Sequence, residues 1–222
     1  MKHFIAKFFI LLTLFACNDA RKSEHITDKQ TLESVINKKK QFVDLRFNYR
    51  KVDDHFKYQD ISKIDSGNAF DFQHPDKSIM LNEENYYSAL QDSNIEFYDS
   101  EINTAYCYSK QKDFKTYKRY IFACTAEMIS NHYLYAIYDK NGSKTSSFVF
   151  HGIGGDGGWH YNLNSKQIND STFIQTNIDC ESTVDSLNNL YSSCDSSITQ
   201  YTILDNGTLK EVSLGKFTVI KK

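Results

Sequence analysis

The sequence predicts a mainly β protein: an antiparallel meander, built as a sandwich, a barrel or propeller-like blades, with one amphipathic helix ahead of it. Three observations carry that expectation. The 222 residues include 15 tyrosines and 16 phenylalanines, types that suit the half-buried surface of strands. From Ile95 onward, apolar runs alternate with polar turns, several containing glycine, and that spacing favours hairpins. A single proline, Pro75, leaves no proline-rich linker or stalk to divide the chain.

Taken in order, the chain begins with a basic start at Lys2, His3 and Lys7, then a short apolar run from Phe8 to Phe15. The run falls short of the roughly 20 apolar residues that span a bilayer, and it has the flanks of a secretory signal. Its end, Leu14-Phe15-Ala16-Cys17, resembles the lipobox of bacterial lipoproteins. That resemblance implies lipidation of Cys17 and an exported, membrane-anchored protein, periplasmic or on the cell-surface face of the outer membrane. Residues 1–16 are then a signal peptide, 17–26 a polar tether and 27–222 one β-rich domain.

The domain opens on a capping-box signature, Thr27 and Gln30, followed by Leu32, Val35 and Ile36 at helical spacing. A helix is expected over Asp28 to Gln41, with Lys38-Lys39-Lys40 mostly on its solvated side. Val43 to Arg50 alternates apolar and polar residues, the pattern of a half-buried strand. Asp65-Ser66-Gly67-Asn68 and Gln73-His74-Pro75-Asp76 read as turns, and Asn82 as the cap of a short helix ending near Leu90. Strands follow at Ala105 to Tyr108, Arg119 to Ala126, Tyr133 to Tyr138, Ser146 to His151, Thr172 to Ile178 and Ile198 to Leu204. The turns Asp139-Lys140-Asn141-Gly142 and Asp205-Asn206-Gly207 carry the strong Asn-Gly hairpin signal. Leu209 to Val212 and Phe217 to Ile220 end the chain.

Charge and cysteines bound the function. Loss of Lys2 and Lys7 leaves 24 basic against 28 acidic residues, a net charge near −4 with no general attraction for nucleic acid. With Cys17 lipidated, Cys107, Cys124, Cys180 and Cys194 remain, an even number in an exported chain, which suggests disulfides. Sequence allows three connectivities. Cys107–Cys124 and Cys180–Cys194 are favoured because each pair straddles a polar segment symmetrically.

The segment Tyr133 to Glu211 resembles uncharacterised β-rich lipoproteins of Bacteroidota-type bacteria. The motifs are Tyr138-Asp139-Lys140-Asn141-Gly142, Gly154-Gly155-Asp156-Gly157-Gly158 and Ile168-Asn169-Asp170-Ser171-Thr172. The likeness implies fold and location and carries no activity with it.

One stretch stands out chemically. His151-Gly152-Ile153-Gly154-Gly155-Asp156-Gly157-Gly158-Trp159-His160 holds five of the nine glycines and the sole tryptophan. It reads either as a wide hairpin loop with Trp159 packed in the core, or as a ligand loop built from His151, Asp156, Trp159 and His160. Two histidines and one acid are a poor zinc or calcium set, so no metal or other cofactor is expected. No Gly-x-Ser-x-Gly elbow and no His-Glu-x-x-His occurs, so no catalytic residue is assigned. Lys110, Lys112, Lys115, Lys118 and Arg119, interleaved with Phe114, Tyr117 and Tyr120, imitate a nucleic-acid patch but fit a hairpin kept polar by lysines.

The expectation is a lipid-anchored envelope domain of unknown specific function that binds rather than reacts. Its partners are the membrane through the N-terminal lipid and an envelope protein, glycan or toxin, with no nucleic acid. Its surfaces would be Gly155 to Trp159 and a long loop from Glu181 to Ser193. The alternative is a hydrolase of envelope polymers with its site near the glycine-rich segment.

Overall fold

The computed structural model describes residues 46–64, 70–90, 103–126, 130–184 and 190–221. The leader, Cys17, the helix expected over Asp28 to Gln41 and the turn at Asp65 to Asn68 lie outside the described residues. What is described is mainly β, a single nine-stranded sheet whose spatial order is its chain order. Strand β1 (Lys57–Tyr58) runs parallel to β2 (Thr104–Lys110). Every later pairing is antiparallel, through β3 (Tyr117–Ala126), β4 (Ser130–Asp139), β5 (Lys144–Asp156), β6 (Trp159–Asn169), β7 (Thr172–Val184), β8 (Leu190–Ile203) and β9 (Leu209–Lys221).

The turns form as their residues dictate. Between β4 and β5, the Asp139 carboxylate accepts the N–H groups of Asn141 (2.7 Å) and Ser143 (2.9 Å), and Gly142 takes φ +85°. Any Cβ at Gly142 would meet the Phe47 carbonyl at 2.2 Å, so glycine is required here twice over. Between β8 and β9, Asn206 Oδ1 accepts from Thr208 N (3.1 Å) and Gly207 takes φ +82°.

Alternation along β3 and β4 sends side chains to two buried faces. On one, Tyr120, Phe122, Cys124 and Tyr138 pack against Phe47, Phe56, Leu81 and the helix Glu83–Leu90. A single helical turn at Tyr49–Val52 (α1) also closes this face, and the longer helix is α2. On the other, Ile121, Tyr135, Ile137, Phe148 and Phe173 form a second core with Ile61 and Ile64. Asn82 caps α2 as its sequence predicts, its Oδ1 accepting from Asn85 N at 2.9 Å. At the other end, Tyr138 Oη donates to Ala89 O (2.5 Å) and Lys144 Nζ to Leu90 O, so carbonyls of the last turn are satisfied.

Strand β5 belongs to two half-sheets. It pairs with β4 from Lys144 to Gly154 but with β6 only from His151 to Asp156. Below His151 the strands part, and Phe148 stacks on Tyr201 (4.7 Å) while Gln175 Nε2 donates to Val149 O (2.6 Å) in the opening. Above it, the ends of β6–β9 form a blade with side chains on both faces in contact with solvent, apart from buried Cys180.

Four expectations are corrected. The residues of Val43 to Arg50 that are described, 46–50, do not form a strand. Phe47 and Tyr49 are buried and Asn48 and Arg50 exposed, as the alternation requires, but the only ladder-like contact is Phe47 N to Gly142 O (3.0 Å), and the chain turns into α1. The Cys107–Cys124 bridge is not formed, and both stand as buried thiols. Register sets Cys107 opposite Phe122 and Cys124 opposite Ala105, a diagonal relation with Cα atoms about 7–8 Å apart, beyond what a disulfide tolerates. Cys180 and Cys194 are direct cross-strand partners and are joined. The loop expected from Glu181 to Ser193 is largely strand, because β7 and β8 stay paired out to Val184 and Leu190. The glycine-rich stretch is no wide loop either: β5 and β6 run up to a two-residue turn, Gly157-Gly158.

Candidate functional site

The glycine-rich hairpin divides the residues that sequence grouped together. Period-two alternation and the register put Asp156, Trp159 and Tyr161 on one face of β5–β6, and His151, Ile153 and His160 on the other. Asp156 therefore points away from both histidines. His151 and His160 share a face but lie opposite Asn164 and Gly155, four positions apart along β5, about 13 Å at strand rise. Among the described residues, no three His, Cys, Asp or Glu side chains cluster closely enough to hold a metal ion.

His151 is part of the core. Its Nε2 lies 2.7 Å from Ile64 O, and its Nδ1 accepts from Ser165 N at 3.3 Å. That pair of contacts fixes a neutral ring with the proton on Nε2 and uses both nitrogens. The imidazole plugs the point where β5 and β6 separate. Asp156 and His160 are exposed near the hairpin tip.

Trp159 is not in the core. It is 37% exposed on the open face of the blade, its Nε1 donating to Asp179 Oδ1 at 2.6 Å. Its ring packs beside Tyr161, centroids 5.4 Å apart at 40°. The hydrogen bond from β6 to β7 fixes the indole before any ligand arrives. The turn is pinned too, since Ser182 N donates to Gly158 O (2.6 Å).

From Tyr161 the same face leads into a cleft of about 370 Å³ between α2 and strands β3–β6. Tyr86 and Leu90 of α2 form one wall; Thr125, Ser130, His132 and Leu163 line the sheet side, with Lys144 at the margin. Gly152 explains how Tyr161 reaches this position. A Cβ there would fall 3.2 Å from Tyr161 Cε2 and 3.3 Å from His132 Cβ, so the bare backbone lets the ring lie close against the sheet. The cleft carries no carboxylate among its described lining residues.

His132 and Cys124 face each other across β3 and β4. The protein packed round the imidazole disfavours its charged form and pushes its pKa down to about 4, so His132 is a neutral donor-acceptor in the cleft. The Cys124 thiol points at Phe122 O (3.9 Å). Burial likewise pushes the Cys107 thiol up to about 12. At that value Cys107 supplies no thiolate at neutral pH. Sequence reasoning missed Tyr86, His132, Lys144 and Tyr161 because they come from four separate elements. The one signal that pointed here was the glycine-rich strand beside a lone tryptophan.

The basic hairpin is held by its own chain. Lys110 pairs with Asp53 (2.8 Å), Lys118 with Asp113, and Arg119 is buried, donating to Lys112 O and Asp170 O with its guanidinium 4.3 Å from the Phe114 ring centroid. No known family model, no curated protein and no solved structure matches the chain.

Proposed function

We propose that the protein is a lipid-anchored envelope domain that binds a hydroxylated, glycan-type ligand at the Trp159–Tyr161 platform and the cleft behind it. The observation that carries this reading is the solvent-open, pre-oriented indole beside Tyr161 at the edge of a concavity whose mainly apolar lining is interrupted by Thr125, Ser130 and His132. An aromatic face offers sugar C–H groups a flat apolar surface. Ser130, Thr125, His132 and Asp179 offer hydroxyl partners around it. The binding reading needs no activated nucleophile. A hydrolase site at His151, Asp156 and His160 lacks comparable support, because those side chains do not converge.

Trp159 is the sole tryptophan, so its emission reports directly on the platform. Titration with a panel of neutral and acetylated oligosaccharides should give a saturable emission change that Tyr161→Ala abolishes. No saturable change with any member of the panel would overturn the ligand class. The anchor has a separate test: Cys17→Ser should move the protein from the membrane fraction to the supernatant, and retention would count against lipidation.

A further inference from the structure

The two faces of β6–β9 carry opposite chemistry. On the Trp159 face stand Asp179, Glu181, Asp195 and Glu211, with Lys216 as the cation among them. On the opposite face, one row across the strands reads Ile153, Asn162, Ile178, Ser196, Phe217, and the next reads Gly155, His160, Cys180, Cys194, Val219. Ile153 and Ile178 are each 41% exposed, Phe217 58% and Val219 49%. Lys166 and Lys210 sit exposed on this same face, opposite Ile174 and Thr202. Among the described strand positions of this face there is no carboxylate.

A sheet face meant only for water would carry polar side chains of both signs. Exposed isoleucine, phenylalanine and valine accompanied by cations alone match a surface seated on anionic lipid. Apolar side chains enter the headgroup boundary while lysines meet phosphate charge. We propose that the Ile178–Phe217–Val219 face of β6–β9 docks on an anionic bilayer. A second copy fits poorly, since face-to-face pairing would enclose Lys166 and Lys210 of both copies with no carboxylate on either face to offset them. The proposal is independent of the acyl anchor and of the ligand at Trp159.

The test uses the full chain carrying Cys17→Ser, so that no lipid is attached. One reporter is native Trp159, on the acidic face; the other is Phe217→Trp in a Trp159→Phe background. Both retain the same N-terminal segment, so its contribution is common to the two. With vesicles of phosphatidylcholine and phosphatidylglycerol, emission at position 217 should shift to the blue and resist acrylamide quenching, while Trp159 emission stays constant. Lys166→Glu with Lys210→Glu should weaken vesicle partitioning by about thirtyfold or more, and high salt should weaken it as well. A shift at Trp159 instead, or none at 217, overturns the docking face. An equal shift with phosphatidylcholine alone overturns the anionic requirement. A shift at 217 that grows with protein concentration without vesicles assigns the face to a second copy and overturns the membrane.

Discussion

His132 is a small element of the cleft with a measurable effect. Its folded pKa of about 4 lies below the ordinary 6.5, so between those values the unfolded chain binds a proton that the folded chain refuses. Stability therefore falls as pH drops from 6.5 to 4, and below 4 this residue adds no further loss. The full shift corresponds to about 3 kcal/mol; the part of the ring open to the cleft lowers that to about 1–2 kcal/mol. Urea midpoints measured across this range should slope less in His132→Gln than in the parent. An unchanged slope would show that the imidazole is already hydrated. Gly152 makes a second residue-level case. Gly152→Val introduces atoms where Tyr161 and His132 stand, so it should cost about 1–3 kcal/mol and displace the ring. Oligosaccharide-induced change in Trp159 emission should fall with it, whereas Ile153→Ala, on the other face, should leave that response intact.

At the scale of elements, the Cys180–Cys194 bridge ties β7 to β8 across a sequence separation of 14. Loop-closure entropy makes it worth about 3 kcal/mol. Cys180→Ser with Cys194→Ser should lower the denaturation midpoint accordingly, and reductant should do the same to the parent. Thiol counting in denaturant on the Cys17→Ser chain should find Cys107 and Cys124 reactive; finding neither would contradict the register. Sequence made one bridge legible and misled on the other for a physical reason. The turn-side register, Lys110 with Tyr120, already sets Cys107 opposite Ala123, and the irregularity between Cys107 and Ser109 moves it on to Phe122; symmetric counting about a turn fixes neither offset. Glu181 to Ser193 misled differently. A strand wetted on both faces needs no apolar alternation, so its serines looked like a loop. Asn82, Asn141-Gly142 and Asn206-Gly207 were legible because their signals are local hydrogen bonds and backbone sterics. The cleft was not, since His132 meets Tyr86 and Tyr161 only through the register of three strands and the placement of α2.

For the whole molecule, the division at β5 separates tasks. The aromatic core around Tyr135, Phe148 and Phe122 buries both faces of β3 and β4, while β6–β9 rise beyond it with two wetted faces of different character. If one face rests on lipid, the indole and its carboxylates look outward, where a ligand would come from. The strict order β1 to β9 has a further consequence, in the time domain. From β3 on, every strand adds to the one made just before it, so ladder growth closes only short stretches of chain at each step. A polypeptide delivered amino end first can thus build its sheet from β2 as it arrives, each newly exposed edge serving as the template for the next arrival, while the two-residue β1 waits for its distant mate β2.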